Sequence, residues 1–136
     1  MKKIAFITAL VLSTMFIESC KKYPDGPSLS FRTRTARVAN TWKVSSCTIN
    51  GTDFTSTYTN INYSETYDKS GAYSYSSSLG NGSGKWAFEN KDTQIKRNGV
   101  SGQSSEDMTI LKLKEVEFWF SFVDGGSTYV FHMVPK

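Results

Sequence analysis

The pattern of apolar and polar residues changes at about residue 40. From there to the C-terminus, short runs of aromatic and β-branched residues alternate with turns rich in Gly, Asn and Asp, and no run has a convincing helical period. The alternation is clearest late in the chain, where Phe118, Phe120 and Phe122 stand at every second position and Tyr129 and Phe131 repeat the pattern. A period of two places these side chains on one face of a strand. The region therefore predicts strands that cover a shared apolar core.

Eight strands are predicted from this pattern. They lie at residues 41–49, 59–67, 72–78, 84–90, 93–98, 107–114, 116–123 and 127–134. Several segments between them suit tight turns, for example Asn50-Gly51 and Asp124-Gly125-Gly126. Residues 80–84, with the sequence Gly-Asn-Gly-Ser-Gly, are expected to form a longer and looser hairpin loop.

Consecutive strands joined by short turns form an antiparallel meander, and closing eight of them into a barrel removes both exposed edges. We therefore predict an all-β fold, an eight-stranded antiparallel up-and-down barrel, over residues 38–136. Its first half is expected to pack thinly, as a wet or mobile flank, because its tyrosines lie among Ser, Thr and Asn. These tyrosines are Tyr58, Tyr63, Tyr67, Tyr73 and Tyr75.

The first 19 residues have the layout of a secretory signal peptide. A short cationic start at Lys2 and Lys3 is followed by an apolar stretch from 4 to 17, and a small residue, Ser19, precedes Cys20. The stretch is shorter than the roughly 20 apolar residues of a membrane span. We interpret residues 1–19 as a cleaved lipoprotein signal peptide.

Residues 16–20, Phe-Ile-Glu-Ser-Cys, resemble the lipobox at which bacterial lipoproteins are acylated on cysteine and cut before it. The resemblance implies that Cys20 carries the fatty acyl chains, palmitate among them, and that the lipid bilayer is a partner. Residues 20–37, with Pro24, Gly26 and Pro27, are expected to form a flexible tether with a short helical turn near its end. The basic residues of this arm suit anionic lipid head groups better than nucleic acid. The expected location is the outer membrane of a Gram-negative bacterium, with the exposed face left open.

Catalytic and metal-binding chemistry finds little support in the residues. The chain has a single histidine, His132, so no histidine-rich metal site is expected. Cys47 is the one cysteine besides Cys20, and we expect it to be a small buried hydrophobe without a disulfide partner. The carboxylates of Glu115 and Glu117 share one strand face and are expected to be solvated. We therefore predict no enzyme, no cofactor, no metal and no nucleic-acid partner.

The segment Asn40-Thr41-Trp42-Lys43-Val44, the Asn-Gly turn after it and the Tyr-rich hairpin that ends in Gly84-Lys85-Trp86 resemble the small lipocalin-like domains of bacterial lipoproteins. The resemblance covers about residues 38–136. It implies an eight-stranded antiparallel barrel, which can hold one small ligand in its mouth. We expect this domain to be a monomer. The aromatic side chains expected to contact such a ligand are Trp86, Tyr73, Tyr75, Phe118, Phe120, Tyr129 and Phe131.

Two functions remain open from the sequence. The first is a membrane-anchored, non-enzymatic binding domain for a small apolar or amphipathic ligand. The second is an accessory protein of the cell envelope that binds a protein partner or a glycan through its outer surface. The ligand-binding function requires an open barrel interior, whereas the accessory function predicts a filled interior and an exposed apolar patch.

Overall fold

The computed structural model describes residues 23–24, 31–100 and 105–136. The proposed signal peptide and Cys20 lie outside these residues. The helices are α1, Arg34–Val38, and α2, Thr55–Asn60. The strands are β1 Asn40–Ile49, β2 Thr52–Asp53, β3 Ser64–Tyr67, β4 Ala72–Ser77, β5 Gly80–Glu89, β6 Gln94–Asn98, β7 Glu106–Leu113, β8 Phe118–Asp124 and β9 Ser127–Pro135.

Eight of these strands form a closed antiparallel barrel, as the sequence predicts. From β3 to β9 each strand pairs with the next in the chain, and β1 pairs with both β3 and β9 to complete the circle. The two-residue β2 pairs with the end of β1 and lies beside the barrel wall. Closure leaves no long free strand edge in the barrel, so that the backbone groups of its strands are paired instead of being open to other chains.

The predicted second strand, 59–67, is wrong in its first half. Residues 55–60 form helix α2, and the strand itself begins only at Ser64. The Asp53 carboxylate accepts hydrogen bonds from both the backbone N–H and the hydroxyl of Thr55, at 2.8 and 2.5 Å. Such local side-chain bonds compete with strand pairing and favour a turn.

The predicted loose loop at 80–84 is also wrong, because these residues form the first half of β5. In the β4–β5 ladder Gly82 pairs with Tyr75 and Gly84 pairs with Tyr73. A Cβ added at Gly84 would lie 2.4 Å from the Asn98 carbonyl oxygen. The glycines therefore allow close approach of neighbouring groups rather than looseness.

One end of the barrel is closed by α1 and by the residues that flank it. Val38 and Trp42 are fully buried there, and the Trp42 indole N–H donates to the Val38 carbonyl at 2.8 Å. Arg37 donates from Nη1 to the Leu113 carbonyl at 2.7 Å. Tyr23 is 2% exposed and belongs to the same core. Residues at both ends of the expected tether thus pack with the barrel.

The tyrosine-rich half is not the thinly packed flank that the sequence suggests. Tyr67 and Tyr73 are buried, and the Tyr67 ring packs edge-on against Phe118 with a centroid separation of 5.6 Å. Cys47 is fully buried, which confirms its role as a small core residue. Within the described part of the chain, no helix has the length and apolar character to span a membrane.

Candidate functional site

A cavity of about 800 Å³ opens at the end of the barrel opposite α1. Its deep part is formed by buried side chains of β3 and β6, including Glu65 and Arg97. Aromatic residues of β8 and β9 form a wall, and Tyr58 of α2 lies at the mouth. The eight-stranded barrel is thus closed at one end and open at the other.

The deep part of the cavity holds a buried charge cluster. Arg97 donates from Nη1 to Oε1 of Glu65 at 2.6 Å, and these side chains are 7% and 2% exposed. The other terminal nitrogen, Nη2, pairs with Oε2 of Glu106. Arg97 therefore bridges two carboxylates, one fully buried and one closer to the mouth.

Strand alternation places this cluster inside the barrel. Tyr63, Glu65 and Tyr67 stand at every second position along or just before β3, so that their side chains share the inward face. On β6 the same rule pairs Arg97 with the fully buried Ile95. The local sequence thus sets which side chains point inward, whereas barrel closure brings the two strands' charges together.

Tyrosine hydroxyls complete the coordination of Glu65. Tyr63 donates to Oε1 at 2.8 Å and Tyr67 donates to Oε2 at 2.7 Å. Arg97 also donates to the Tyr73 hydroxyl at 2.9 Å, and its guanidinium carbon lies 4.9 Å from the Tyr73 ring centroid. A carboxylate that receives only donors is satisfied in its ionised, acceptor-only form.

Burial and the neighbouring carboxylate shift the acid–base behaviour of these groups. Burial, followed by the negative charge of Glu65, raises the pKa values of Tyr63 and Tyr67 above their usual range. Burial alone lowers the pKa of Arg97, but attraction to Glu65 and the neighbouring groups outweighs it and raises the pKa overall. Arg97 is therefore a permanent cation and the tyrosines are neutral donors.

The wall of the cavity consists of stacked aromatic rings. Phe122 and Tyr129 are nearly parallel, with centroids 4.9 Å apart, and Phe122 stacks on Phe131 at 5.9 Å. Tyr58 meets Phe131 edge-on at 4.9 Å. Offset and edge-on arrangements are the favoured geometries for such rings. Together they give the cavity a rigid apolar side above its charged base.

Three of the predicted ligand-contacting residues line the cavity, namely Tyr73, Tyr129 and Phe131. The others lie elsewhere in the described interior. Phe118 and Phe120 are fully buried in the core, and Tyr75 stacks on Tyr63 with centroids 6.1 Å apart. Trp86 is buried away from the cavity, where its indole N–H donates to the Asp68 carbonyl at 2.9 Å.

Sequence reasoning missed the two residues at the centre of the site, Glu65 and Arg97. The sequence does contain a signal for Glu65, because it lies between Tyr63 and Tyr67 on one strand face. A carboxylate on a solvated face would be flanked by polar residues instead of aromatic ones. The signal for Arg97 is weaker. Its two-residue spacing from Ile95 indicates an inward position, but the sequence does not identify its partners on β3 and β7. The pairing of these charges appears only once the strands are arranged in the barrel.

The remaining reactive groups lie apart from the cavity's charged base. On the paired strands β1 and β9, Cys47 stands opposite Phe131 and points inward, whereas the adjacent His132 lies on the outer face. The His132 ring stacks on Trp119 with centroids 3.9 Å apart. Burial, aided by the charge of Asp53, raises the pKa of the Cys47 thiol to about 11. Among the described residues, no group of three or more His, Cys, Asp or Glu could hold a metal ion.

No model of a known protein family matches the chain, and no curated protein matches it either. The geometry of the barrel and its cavity is therefore the basis for inference about function.

Proposed function

We propose that this protein is a membrane-anchored binding module that holds a small amphipathic ligand in the open end of its barrel. The observation that supports this proposal most directly is the cavity of about 800 Å³ between an aromatic wall and a buried polar base. Small-molecule sites are usually concave, with volumes of roughly 300–1,000 Å³. This cavity has such a volume, and polar groups form a larger share of its lining than apolar groups. An eight-stranded barrel is also wide enough to hold one small ligand.

The anchor part of the proposal rests on Cys20. With Cys20 acylated, only Lys21 and Lys22 separate it from Tyr23, whose side chain is buried with the barrel core. Three residues span at most about 10 Å of extended chain. Acylation would therefore hold the closed end of the barrel near the bilayer and direct the open mouth away from it.

Three basic residues lie at the closed end. Arg32 precedes α1 and lies 3.6 Å from Glu115, Arg34 begins α1 and pairs with Asp92 at 2.6 Å, and Lys69 is exposed in the turn between β3 and β4. Basic residues close to a lipid anchor are attracted to anionic head groups. The resemblance to lipocalin-like lipoproteins agrees with this arrangement, and a monomer suffices for it.

The proposal assigns no catalytic step to the protein. Cys47 and His132 lie on opposite faces of the barrel wall, so that they cannot form a nucleophile–base pair. Glu65 and Glu106 both share Arg97 and so offer no freely placed acid and base. Binding without turnover is the simpler account of these residues.

The alternative, an accessory protein that binds a partner through its outer surface, expects a filled interior. The described residues leave a cavity instead, and for this reason we favour the ligand-binding function. The stack of Trp119 on His132, whose side chains are half-buried on the outer face, supports the alternative less strongly.

Native mass spectrometry tests the proposal on the acylated protein purified from its host membrane. We expect an additional mass of a few hundred daltons that is lost on denaturation. The variant Tyr129→Ala removes part of the cavity wall and should reduce the retained mass. The matched variant Val130→Ala changes the next residue of β9, on the outer face, and should retain it. A wild-type protein without additional mass would favour the accessory function.

A further inference from the structure

The charges that face the cavity are unequal in number. Glu65 and Glu106 lie against Arg97, and Asp124 stands at the mouth on the same face of β8 as Phe122. When these groups are ionised, three carboxylates are opposed by one guanidinium. Asp107 also borders the cavity, but by strand alternation it faces outward, where it lies 3.7 Å from Lys96. The cavity and its mouth together therefore have an excess of negative charge.

Arg97 has little capacity left for an anionic ligand. Both of its terminal nitrogens already pair with protein carboxylates, Nη1 with Glu65 and Nη2 with Glu106. An entering anion would have to displace one of these partners and would be repelled by both. A cation, by contrast, would meet the excess carboxylate charge of Glu106 and Asp124 directly.

The aromatic wall is suited to a cation as well. The guanidinium carbon of Arg97 already lies 4.9 Å from the Tyr73 ring centroid and 5.9 Å from that of Phe122. Ring faces attract cations within about 6 Å, and stacked aromatic residues form the cages that bind ammonium groups. Tyr129 and Tyr58 extend this surface toward the mouth.

The segments around the mouth reinforce the sign of the charge. The described segments 50–63, 76–82 and 122–129 contain Asp53 and Asp124 but no lysine or arginine. A cleft lined by one sign of charge raises the local concentration of ions of the opposite sign.

We propose that the ligand of this cavity is an organic cation, an amine or quaternary ammonium attached to an apolar body, with its charge near Glu106 and Asp124. This inference rests on the proposed function, because it names the ligand class of the same cavity. The apolar body lies along Phe122, Tyr129 and Phe131, and the cationic group replaces part of its hydration by carboxylate oxygens and ring faces.

Three probes of one skeleton test the charge preference. They are 4-phenylbutylammonium, 4-phenylbutanol and 4-phenylbutanoate, titrated calorimetrically into the full mature protein in phosphatidylcholine nanodiscs, with empty nanodiscs as the blank. We expect the cation to bind about tenfold or more tightly than the anion at low salt, with the alcohol between them. High salt should narrow the difference, because the mouth is open to solvent.

Two variants locate the charge. Asp124→Asn at the exposed mouth should weaken binding of the ammonium probe about threefold or more and leave the alcohol unchanged. Glu106→Gln should act in the same direction, with a larger effect. Glu115→Gln, an exposed carboxylate at the closed end, is the matched control and should change neither probe.

The outcomes separate this inference from the proposed function. If the anion binds as tightly as the cation, or if Asp124→Asn leaves the preference intact, the cation inference is wrong while ligand binding stands. If none of the three probes binds, both are overturned.

Discussion

Arg97 and Glu65 form an ion pair of 2.6 Å inside the barrel, although 32 residues separate them in the chain. They come from β6 and β3, two strands that do not pair with each other. A buried ion pair is costly to form, but removing one partner leaves an uncompensated charge in the interior. The pair therefore makes the stability of the barrel depend on two strands that meet only through their side chains.

The variant Glu65→Gln tests this dependence. It keeps the shape of the side chain but removes the fully buried one of the two carboxylates that face Arg97, and it deprives the hydroxyls of Tyr63 and Tyr67 of a charged acceptor. We expect the free energy of unfolding to fall by about 3 kcal/mol. Urea denaturation followed by tryptophan fluorescence measures the change. The control is Glu89→Gln, which removes a partly exposed partner 3.7 Å from Lys96 and should cost less than about 1 kcal/mol. Equal effects of the two variants would contradict the structural role of the buried pair.

Alkaline pH should destabilise the protein through its buried tyrosines. Burial, followed by the charge of Glu65, raises the pKa of Tyr67 and of Tyr73 above the usual value near 10. In the unfolded chain both ionise near pH 10, whereas in the folded protein they stay neutral. Their contribution to stability is therefore complete below pH 10 and is lost as the pH rises toward the folded-state pKa values.

Denaturation at a series of pH values measures this loss. Each of the two tyrosines should lower the free energy of unfolding by about 1.4 kcal/mol per pH unit above pH 10. Tyr67→Phe should remove one of these contributions and make the pH dependence shallower. Tyrosinate absorbance from these residues is expected to appear together with unfolding. A stability that stays constant up to pH 12 would be inconsistent with their burial.

The thiol of Cys47 should be unreactive in the folded protein. It is fully buried, and burial together with the charge of Asp53 raises its pKa to about 11, so that little thiolate forms at neutral pH. We expect alkylation by iodoacetamide at pH 8 to occur only on unfolding. Rapid modification of the native protein at Cys47 would show that the paired strands β1 and β9 separate in the folded state.

The same reaction in denaturant counts the free thiols of the mature protein. Transfer of a diacylglyceryl group to the Cys20 sulfur consumes its thiol in a thioether, so that a lipidated protein has one reactive cysteine. Two reactive cysteines in the mature chain would contradict the proposed anchor. A Cys20→Ser variant provides the control, because it should leave the membrane fraction while retaining the buried thiol of Cys47.

The orientation of the barrel on the membrane is measurable with two single labels. Lys69→Cys places a fluorophore in the turn at the closed end, and Ser78→Cys places one in the turn at the open end; both positions are exposed. The six residues of β4 that separate the two turns correspond to about 20 Å along the strand direction. In vesicles that carry a nitroxide on the lipid head group, we expect quenching of the label at 69 and little quenching at 78.

Tyr23→Ala is the matched variant for this experiment. Loss of the buried ring should free the chain after Cys20 and reduce the difference between the two labels. Equal quenching in the unmodified barrel would contradict the proposed orientation, whereas absence of the protein from vesicles would contradict the anchor itself.

The two-residue period of apolar side chains made the barrel predictable, but two local departures from this pattern could not be predicted. Alternation in 116–123 and 127–134 identifies two strands, and turn residues such as Asn50-Gly51, both with positive φ, mark where the chain reverses. Residues 55–60 and 80–84 were misjudged for opposite reasons. In residues 55–60, the Asp53–Thr55 hydrogen bonds favour a helical turn. In residues 80–84, the glycines pair regularly in β5, because Gly82 leaves room for the Tyr75 ring and Gly84 for the Asn98 carbonyl oxygen.

The candidate site was predicted only in part. Tyr73, Tyr129 and Phe131 line the cavity, as their inward positions on β4 and β9 allow. Glu65 and Arg97 were not predicted as site residues, because a charged residue in an amphipathic strand usually faces solvent. Their burial depends on each other, and no local pattern records a partner that lies on another strand.

By itself, the sequence determined the features that depend on neighbouring residues: the strand period, most of the turns and the number of strands in the meander. These follow from backbone geometry and from side-chain alternation over a few positions. Only the tertiary structure decided which end of the barrel is closed, where the cavity lies and which charges meet in it. Those properties arise from contacts between residues far apart in the chain, whose energies depend on distance and burial after the barrel has closed.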